Sequence, residues 1–489
     1  MGLRQLFAVY TNRRAVRRRV ASHQRAASIE SLEVRELLAA DISVLKDIFP
    51  GVGSGGPSQF TEFKGNIYFS ADDGVHGSEL WRTNGSEVGT QLFAELAPGA
   101  AGSTLNGLTV ANDKLFITTA DGVYVTDGTP QGTIKLQGFS RPTYVFATLG
   151  NEVYFFEDYP PIGNTGIDGG GKFWKSDGTI VGTVSFATWS SGSGPQYSTW
   201  FDNSLFFSAA SGPGSVPFYR FDPVAETITQ VPGAPSIVDG QAAVTSNGLV
   251  FVGVTNQQPS GLFVLGSATG TATLVQTWSN TSDIAGATEF TTVNDKVYFV
   301  RGTNNSNTEL WKSDGTDAGT KMVKDINPGT GSSSPSHLTN LNGELFFIAN
   351  DGVHGVELWK SGGLDSNTIL VKDIVPGAGS SSFQGGFVEF NGQFAFVANN
   401  KLQTTDGTPA GTIELAASPT VGIAPVVFGN NLIFDGGNST VGFELFIARF
   451  GLPLAAPVIT GPVSLTSEPQ PTITWNAVSE APGYDVWIR

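Results

Sequence analysis

The 489-residue chain contains no cysteine, only two methionines and few charged residues. Without cysteine there is no disulfide framework, zinc ribbon, CxxC redox pair or cysteine nucleophile. Charged residues make up 14% of the chain, below the roughly 25% of an average globular protein, which argues against a coiled coil or a charged disordered chain. No run of 18 apolar residues occurs, so no membrane-spanning helix is predicted.

Glycine, proline and phenylalanine are abundant, at 62, 26 and 34 residues. This composition favours many short strands joined by tight turns. The charge is uneven, because residues 1–40 hold eight arginines and three glutamates, which leaves 19 basic and 40 acidic residues in the rest, a net charge of −21. An acidic body repels nucleic acid and anionic lipid, so neither is predicted as a partner.

The basic leader lacks the apolar core of a standard secretory peptide and ends in LEVRELLAAD at 32–41. This stretch resembles the Leu-Glu-x-Arg-x-Leu-Leu segment near the N-terminus of large secreted planctomycete proteins, with Val34 where that family usually has proline. The resemblance implies that residues 1–40 are an export leader, removed near Ala39-Ala40. A basic tail that binds an anionic partner is the alternative.

An internal repeat dominates the sequence between the leader and residue 450. Its clearest copies are ELWKSDGTDAGTKMVKDI at 309–326 and ELWKSGGLDSNTILVKDI at 357–374. A run of alternating apolar and aromatic residues precedes each of nine copies, at a mean spacing of about 46 residues. The aligned central positions of these runs are Phe69, Ile117, Phe155, Phe207, Phe251, Phe299, Phe347, Phe396 and Phe434.

Each repeat contains four strand signals, with Asn-Gly or Asp-Gly-Thr turns between neighbouring strands. Four antiparallel strands per period are typical of a propeller blade, so we predict an all-β β-propeller of about nine blades, with eight to ten accepted. Residues 43–48 match the fourth strand but precede the first blade, whereas the last unit ends after its third strand, at 443–450. The N-terminal strand is therefore predicted to complete the last blade and close the ring.

The repeat resembles the ELWxxDGT, or hyalin-like, repeats of large secreted bacterial proteins, over about residues 42–450. That resemblance implies a secreted protein but no agreed activity. Residues 451–471 read as a Pro/Ser/Thr-rich linker, and 472–489 resemble the first strands of a fibronectin type III-like β-sandwich. We interpret that last domain as incomplete, so the natural protein is expected to be longer.

No catalytic constellation emerges from the polar residues. His76 and His354 share one repeat position, which indicates turn geometry, and no histidine pair has zinc-ligand spacing. The recurring glutamates and the DGT aspartates are predicted to be structural for the same reason. Oxygen ligands for calcium occur at Asp72-Asp73 and near Asp325 and Asp373, but no EF-hand pattern accompanies them. No cofactor or metal is therefore predicted, with calcium as the weaker alternative.

A unique site is expected where the repeat is broken, because loops vary on a rigid ring. The third unit has a long loop at 157–171, and the following connection, at 187–200, is predicted to open on the same face. Trp200 aligns with the polar Glu62 and Asn340, and the core does not require an aromatic there. The candidate ligand-binding residues are Asp158, Tyr159, Asp168, Tyr197 and Trp200.

Two classes of function follow from these features. The first is a non-enzymatic extracellular or cell-surface binding or scaffold module, adhesive in character, with a polysaccharide or matrix component as partner. The second is a lectin or carbohydrate-active enzyme that uses the face with loops 157–171 and 187–200, with Asp158 and Asp168 as acid and base. The oligomeric state is left open.

Overall fold

The computed structural model describes residues 40–139, 143–159, 170–189, 194–210, 215–235, 241–255, 258–278, 289–303, 307–415 and 419–450. The predicted leader up to residue 39, the linker at 451–471 and the sandwich segment at 472–489 lie outside these residues, as does Asp168. No helix in the described part of the chain is long and apolar enough to cross a membrane.

The described residues form nine antiparallel sheets, which we number as blades in chain order. Within each of the first eight blades, successive strands pair as neighbours, as expected for strands joined by hairpins.

Blades 1 to 3 comprise β2 (Ser58–Phe63), β3 (Asn66–Asp72), β4 (Ser78–Thr83) and β5 (Gln91–Ala94); β6 (Leu105–Ala111), β7 (Lys114–Thr119), β8 (Gly122–Thr126) and β9 (Ile134–Gly138); and β10 (Thr143–Leu149), β11 (Glu152–Asp158), β12 (Gly171–Ser176) and β13 (Val184–Trp189). Blades 4 to 6 comprise β14 (Gln196–Phe201), β15 (Ser204–Ser208), β16 (Phe218–Asp222) and β17 (Thr227–Gln230); β18 (Ala243–Thr245), β19 (Gly248–Thr255), β20 (Gln258–Leu265) and β21 (Thr273–Thr277); and β22 (Thr291–Val293), β23 (Lys296–Thr303), β24 (Asn307–Ser313) and β25 (Lys321–Lys324).

Blades 7 and 8 comprise β26 (Ser336–Leu341), β27 (Glu344–Asn350), β28 (Val356–Ser361) and β29 (Thr368–Lys372); and β30 (Phe383–Phe390), β31 (Gln393–Ala398), β32 (Lys401–Thr405) and β33 (Ile413–Glu414). Blade 9 comprises β34 (Thr420–Val421), β35 (Val426–Phe428), β36 (Asn431–Gly437), β37 (Glu444–Phe450) and β1 (Ala40–Lys46). A short 3-10 turn at Asp365–Asn367 precedes β29.

The N-terminal strand closes the ring, as predicted. β1 pairs antiparallel with β37, with Ala40 opposite Phe450 and Val44 opposite Phe446. The register shifts between Val44 and Lys46, and this bulge places Leu45 in the core at 3% exposure. The outer strand of the last blade therefore comes from the opposite end of the domain, and the last blade gains a fourth strand.

The hydrophobic core lies between the blades. Nine clusters of buried side chains occur, and each joins two neighbouring blades, from the blade 1–2 cluster around to the blade 9–1 cluster. The nine aligned positions of the aromatic runs are all at most 1% exposed. Because the clusters form an unbroken circuit, apolar residues are needed on both faces of every sheet, which explains the continuous apolar runs in the sequence.

The first strands of the blades lie innermost, where those of neighbouring blades contact one another. A bulge interrupts several of them, and its residue has a positive φ angle, as at Gln59, Tyr197 and His337. The predicted tight turns follow: Asn342 and Gly343, between β26 and β27, have φ angles of 51° and 83°. Positive φ at both positions is what a type I′ hairpin turn requires.

Candidate binding site on blades 3 and 4

The recurring glutamates serve the fold. The carboxylate of Glu357 accepts hydrogen bonds from the backbone N–H of Ile374, at 2.8 Å, and of Val375, at 3.3 Å, and from Ser381 Oγ. Glu79, Glu309 and Glu444 accept the equivalent amide pairs. All four side chains are at most 1% exposed. Each therefore anchors the end of a fourth strand, which confirms their structural interpretation.

The DGT turns are also built from their own polar groups. Asp177 Oδ1 accepts hydrogen bonds from both the N–H and the hydroxyl of Thr179, each at 2.8 Å, and the Thr179 hydroxyl bond lowers the pKa of Asp177. Ser176 and Thr183 join the two strands through a 2.7 Å hydroxyl contact. The same arrangement recurs around Asp127, Asp314 and Asp406. These aspartates are thus turn residues.

The two repeated histidines complete a loop between second and third strands. His76 Nδ1 lies 2.8 Å from Asp73 Oδ2, and His354 Nδ1 lies 2.7 Å from Asp351 Oδ2. The hydrogen bond with aspartate raises the pKa of each imidazole. Asp73 also accepts two backbone amides of its own loop, so the geometry is local. Across the described residues, no group of three or more His, Asp or Glu side chains is arranged to hold a metal ion.

The candidate ligand-binding residues lie on neighbouring blades. Asp158 ends β11 opposite Gly171, and the following Tyr159 donates its N–H to Gly170 O at 2.8 Å. Tyr197 and Trp200 lie on β14, the first strand of blade 4. Tyr197 is 50% exposed, whereas Asp158, Tyr159 and Trp200 are half-buried.

Trp200 occupies the position at which the sequence alignment placed it. It lies opposite Leu205 on β15, just as Glu62 lies opposite Ile67 and Asn340 opposite Leu345. This pairing defines an inner ring of nine equivalent residues, one on each innermost strand. The inner ring consists of Glu62, Val110, Thr148, Trp200, Val244, Thr292, Asn340, Glu389 and Val427.

Inner-ring side chains reach toward the preceding blade. Asn340 Nδ2 donates to Thr292 O at 3.0 Å, and Thr292 Oγ1 donates to Val244 O at 3.1 Å. Trp200 likewise packs against the cluster between blades 3 and 4, which contains Phe207. The expectation that the core does not need Trp200 is therefore wrong: part of the indole supports the blade interface, and the remaining part is accessible.

Tyr144 belongs to this region and was not singled out from the sequence. Its hydroxyl donates to Pro195 O at 3.0 Å, two residues before Tyr197. Burial, with a contribution from the Asp158 charge, raises the pKa of the Tyr144 phenol. Tyr144 lies opposite Phe156, at the position that Ser58 and Ser336 occupy in other blades. An aromatic residue at a position that holds serine in two other blades is the sequence signal that could have identified Tyr144.

The concave features elsewhere do not include these side chains. A groove of about 380 Å³ lies beside the closing strand and is lined by residues such as Ile42, Lys401 and Phe446. A second groove, of about 290 Å³, lies between blades 1 and 2 near Tyr124 and Lys135. Neither contains the four described candidate residues, so the candidate site is a surface of blades 3 and 4 and not one of these grooves.

The described residues form eight four-stranded blades and a ninth in which β34 and β35 both pair with β36, and the interface clusters continue without a break, so this part of the chain is a closed nine-bladed β-propeller. No family model matches the sequence, and no curated protein matches it.

Solved structures resemble it distantly. TolB from Acinetobacter baumannii is 12% identical over 54% of this chain and 64% of its own, with a TM-score of 0.28. A prolyl endopeptidase is 11% identical over 75% and 50%, with a TM-score of 0.40. The extracellular domain of a one-component system from B. thetaiotaomicron is 14% identical over 83% and 67%, with a TM-score of 0.31. The chain thus spans less than two thirds of the length of the first two proteins. None of these similarities assigns a function to it.

Proposed function

We propose that the protein is a non-enzymatic binding module of the cell surface or extracellular space, with its ligand surface on blades 3 and 4. One observation carries the proposal. The recurring carboxylates are occupied by backbone amides, whereas the unrepeated Tyr144, Asp158 and Tyr197 lie toward one end of β10, β11 and β14, and Trp200 lies further along β14, beside the turn to β15.

The chemistry of this surface favours a polysaccharide. Aromatic rings offer a flat apolar face, and the phenol groups and Asp158 offer hydrogen-bonding partners beside it. Tyr197 is half exposed and Trp200 is partly accessible, so both rings present area to a ligand. A neutral sugar chain matches a surface of aromatics and a single described carboxylate better than a strongly charged ligand does.

The proposed extracellular location is supported by the sequence. The LEVRELL segment and the strongly acidic body are the features that support export. An acidic body keeps a protein soluble and away from anionic surfaces, which suits a displayed or secreted scaffold. A glycosidase is the second candidate, since Asp158 is half-buried beside a phenol and Asp168 follows in the same loop.

A glycan array on the full chain, followed by titration of the best ligand, tests the binding proposal. Tyr197→Ala and Trp200→Ala are each expected to weaken binding about tenfold, the ratio for a loss near 1.4 kcal/mol. Val110→Ala is the matched control, because Val110 has the same inner-ring position on blade 2. Tyr197 does not support a described core cluster, so its variant separates binding from stability.

Two outcomes would contradict the proposal. Equal affinity of the wild type and both aromatic variants would contradict a ligand surface on blades 3 and 4 and would favour a scaffold without one. Release of reducing sugars that stops in Asp158→Asn would instead establish the glycosidase, because that reaction needs a catalytic carboxyl pair.

A further inference from the structure

Three lysines lie on the face of blade 6 that packs against blade 7. Lys312 on β24 lies opposite Lys321 on β25 and, on its other side, opposite Tyr298 on β23. Opposite residues share one face of a sheet, and Tyr298 belongs to the cluster between blades 6 and 7. Lys296 lies two residues before Tyr298 on the same strand, so the alternation of side chains places it on this face too. We call Lys296, Lys312 and Lys321 the lysine cluster.

The buried member of the lysine cluster lacks a counter-charge. Lys312 is 7% exposed, and its Nζ donates to Gly363 O of blade 7, a neutral acceptor. Lys296 is half-buried and Lys321 is exposed, and neither has a hydrogen bond or an ion pair with the described residues. Burial, followed by the charges of Lys321 and Lys296, lowers the pKa of Lys312. A buried ammonium group without an opposite charge is costly.

Two other blades place a glutamate beside the equivalent lysine. In blade 7, Lys360 Nζ lies 3.1 Å from Glu344 Oε2. In blade 3, Lys175 Nζ lies 3.3 Å from Glu152 Oε1. Both glutamates are the first residue of the second strand, the position that Lys296 holds in blade 6. Blade 6 therefore has a like charge where these two blades have a counter-charge.

The turn of the next blade lacks its carboxylate as well. Lys114 of blade 2 donates to Asp177 O in the DGT turn of blade 3, at 3.1 Å, and its charge acts on the Asp177 carboxylate. Blades 1 and 2 are joined in the same way. In blade 7 the aspartate position is Gly362, so Lys312 meets backbone there and no carboxylate. Two carboxylates that face a lysine at other joints are thus absent between blades 6 and 7.

The described carboxylates near the lysine cluster have other partners. Asp314 accepts two hydrogen bonds within its own DGT turn. Asp295 accepts the N–H and the hydroxyl of Ser246 in blade 5. Asp365 of blade 7 lies 2.9 Å from Lys324 Nζ, outside the cluster. None of the three forms an ion pair with a lysine of the cluster, so its positive charge is available to a ligand.

We propose that the lysine cluster binds a single oxyanion group, a sulfate or a phosphate, at the joint between blades 6 and 7. Lys296 and Lys321 donate charge-assisted hydrogen bonds to the anion, and the buried Lys312 adds a third positive charge beside them. One anionic group fits this site better than a polyanion, because the acidic body repels a strongly charged chain at long range. The site lies on other blades than the aromatic surface, so it does not depend on the function proposed above.

Calorimetric titration of the full chain with sulfate and with phosphate, at constant ionic strength, tests this site. Binding of one anion per chain is expected. Lys296→Glu and Lys321→Gln are each expected to weaken binding by at least about tenfold, since each removes a charge-assisted hydrogen bond. Lys372→Glu is the charge-matched control for Lys296→Glu, because Lys372 lies on the outer strand of blade 7, where it donates to Pro409 O. This control is expected to retain the wild-type affinity.

Thermal unfolding without added anion separates lost binding from lost folding. Lys296→Glu installs the glutamate of blades 3 and 7 beside Lys312, so its melting temperature is expected to equal or exceed that of the wild type. A lower melting temperature would contradict the uncompensated charge. The proposal is overturned if the wild type binds neither anion in the millimolar range, or if Lys321→Gln, a change at an exposed side chain, binds as tightly as the wild type.

A sulfated polysaccharide and its desulfated counterpart identify the source of the anion. Binding of the sulfated polymer that is tighter than that of inorganic sulfate, and that is lost on desulfation and in Lys321→Gln, identifies a sulfate group carried by a sugar chain. Equal or weaker binding of the polymer identifies the free anion as the ligand. Binding of the polymer that persists in Lys321→Gln and after desulfation would place it elsewhere on the protein and contradict a polymer-borne group at this joint.

Discussion

Leu45 and Val44 offer a direct test of how the ring closes. The bulge in β1 buries Leu45 at 3% exposure among Ile67 and Trp81 of blade 1, whereas its neighbour Val44 is 37% exposed. Leu45→Ala removes three buried carbon atoms from the blade 9–1 interface, and such truncations cost about 2–5 kcal/mol. Val44→Ala on the same strand is expected to change stability by less than about 0.5 kcal/mol.

Hydrogen exchange of the β1–β37 amides is the most suitable measurement, because it reads local opening even when a large repeat domain does not unfold in one step. The cost for Leu45→Ala corresponds to exchange roughly 30-fold to several thousand-fold faster, since each 1.4 kcal/mol is a factor of ten. Deletion of residues 41–49 is expected to lower the melting temperature sharply, because it also removes two of the three amides that donate to Glu444, those of Ile48 and Phe49. Equal effects of Leu45→Ala and Val44→Ala would refute the described register.

Two further predictions concern the anchoring glutamates and the leader. Glu357→Ala is expected to lower the free energy of unfolding by about 2–4 kcal/mol, measured by thermal or urea unfolding, because it leaves two amides and the Ser381 hydroxyl unpaired. Glu344→Ala is the control: it removes only a surface ion pair with Lys360 at 3.1 Å and should lower that free energy by less than about 1 kcal/mol. N-terminal sequencing of protein taken from the cell surface is expected to begin near Asp41, and a chain there that begins at Met1 or Gly2 would contradict export.

The architecture could be predicted because the same strand and turn signals recur in many repeats. The DGT turns and the aromatic runs each recur, and the match of residues 43–48 to the fourth strands predicts the closure. The recurring Glu357 could be identified as structural, since a residue needed in several blades at once serves what the blades share. Local turn chemistry and two-residue periodicity were sufficient for these features.

The candidate site could be predicted less completely, because its contacts join residues far apart in sequence. The bulge residue Tyr197 has a positive φ without being glycine, which no local pattern indicates. The hydrogen bond from Tyr144 to Pro195 spans 51 residues. The partial burial of Trp200 depends on how tightly blade 4 packs on blade 3, which a sequence alignment of single blades does not contain.

Closure by β1 also fixes how the domain would respond to mechanical load. Ala40 lies opposite Phe450, so the two ends of the propeller leave the same end of one antiparallel pair. A tensile force applied through both flanking segments would peel this pair open one hydrogen bond at a time, and would not shear all of its bonds together. Blade 9 is thus the point at which a stretched chain yields first, while the eight hairpin-joined blades remain outside the line of force.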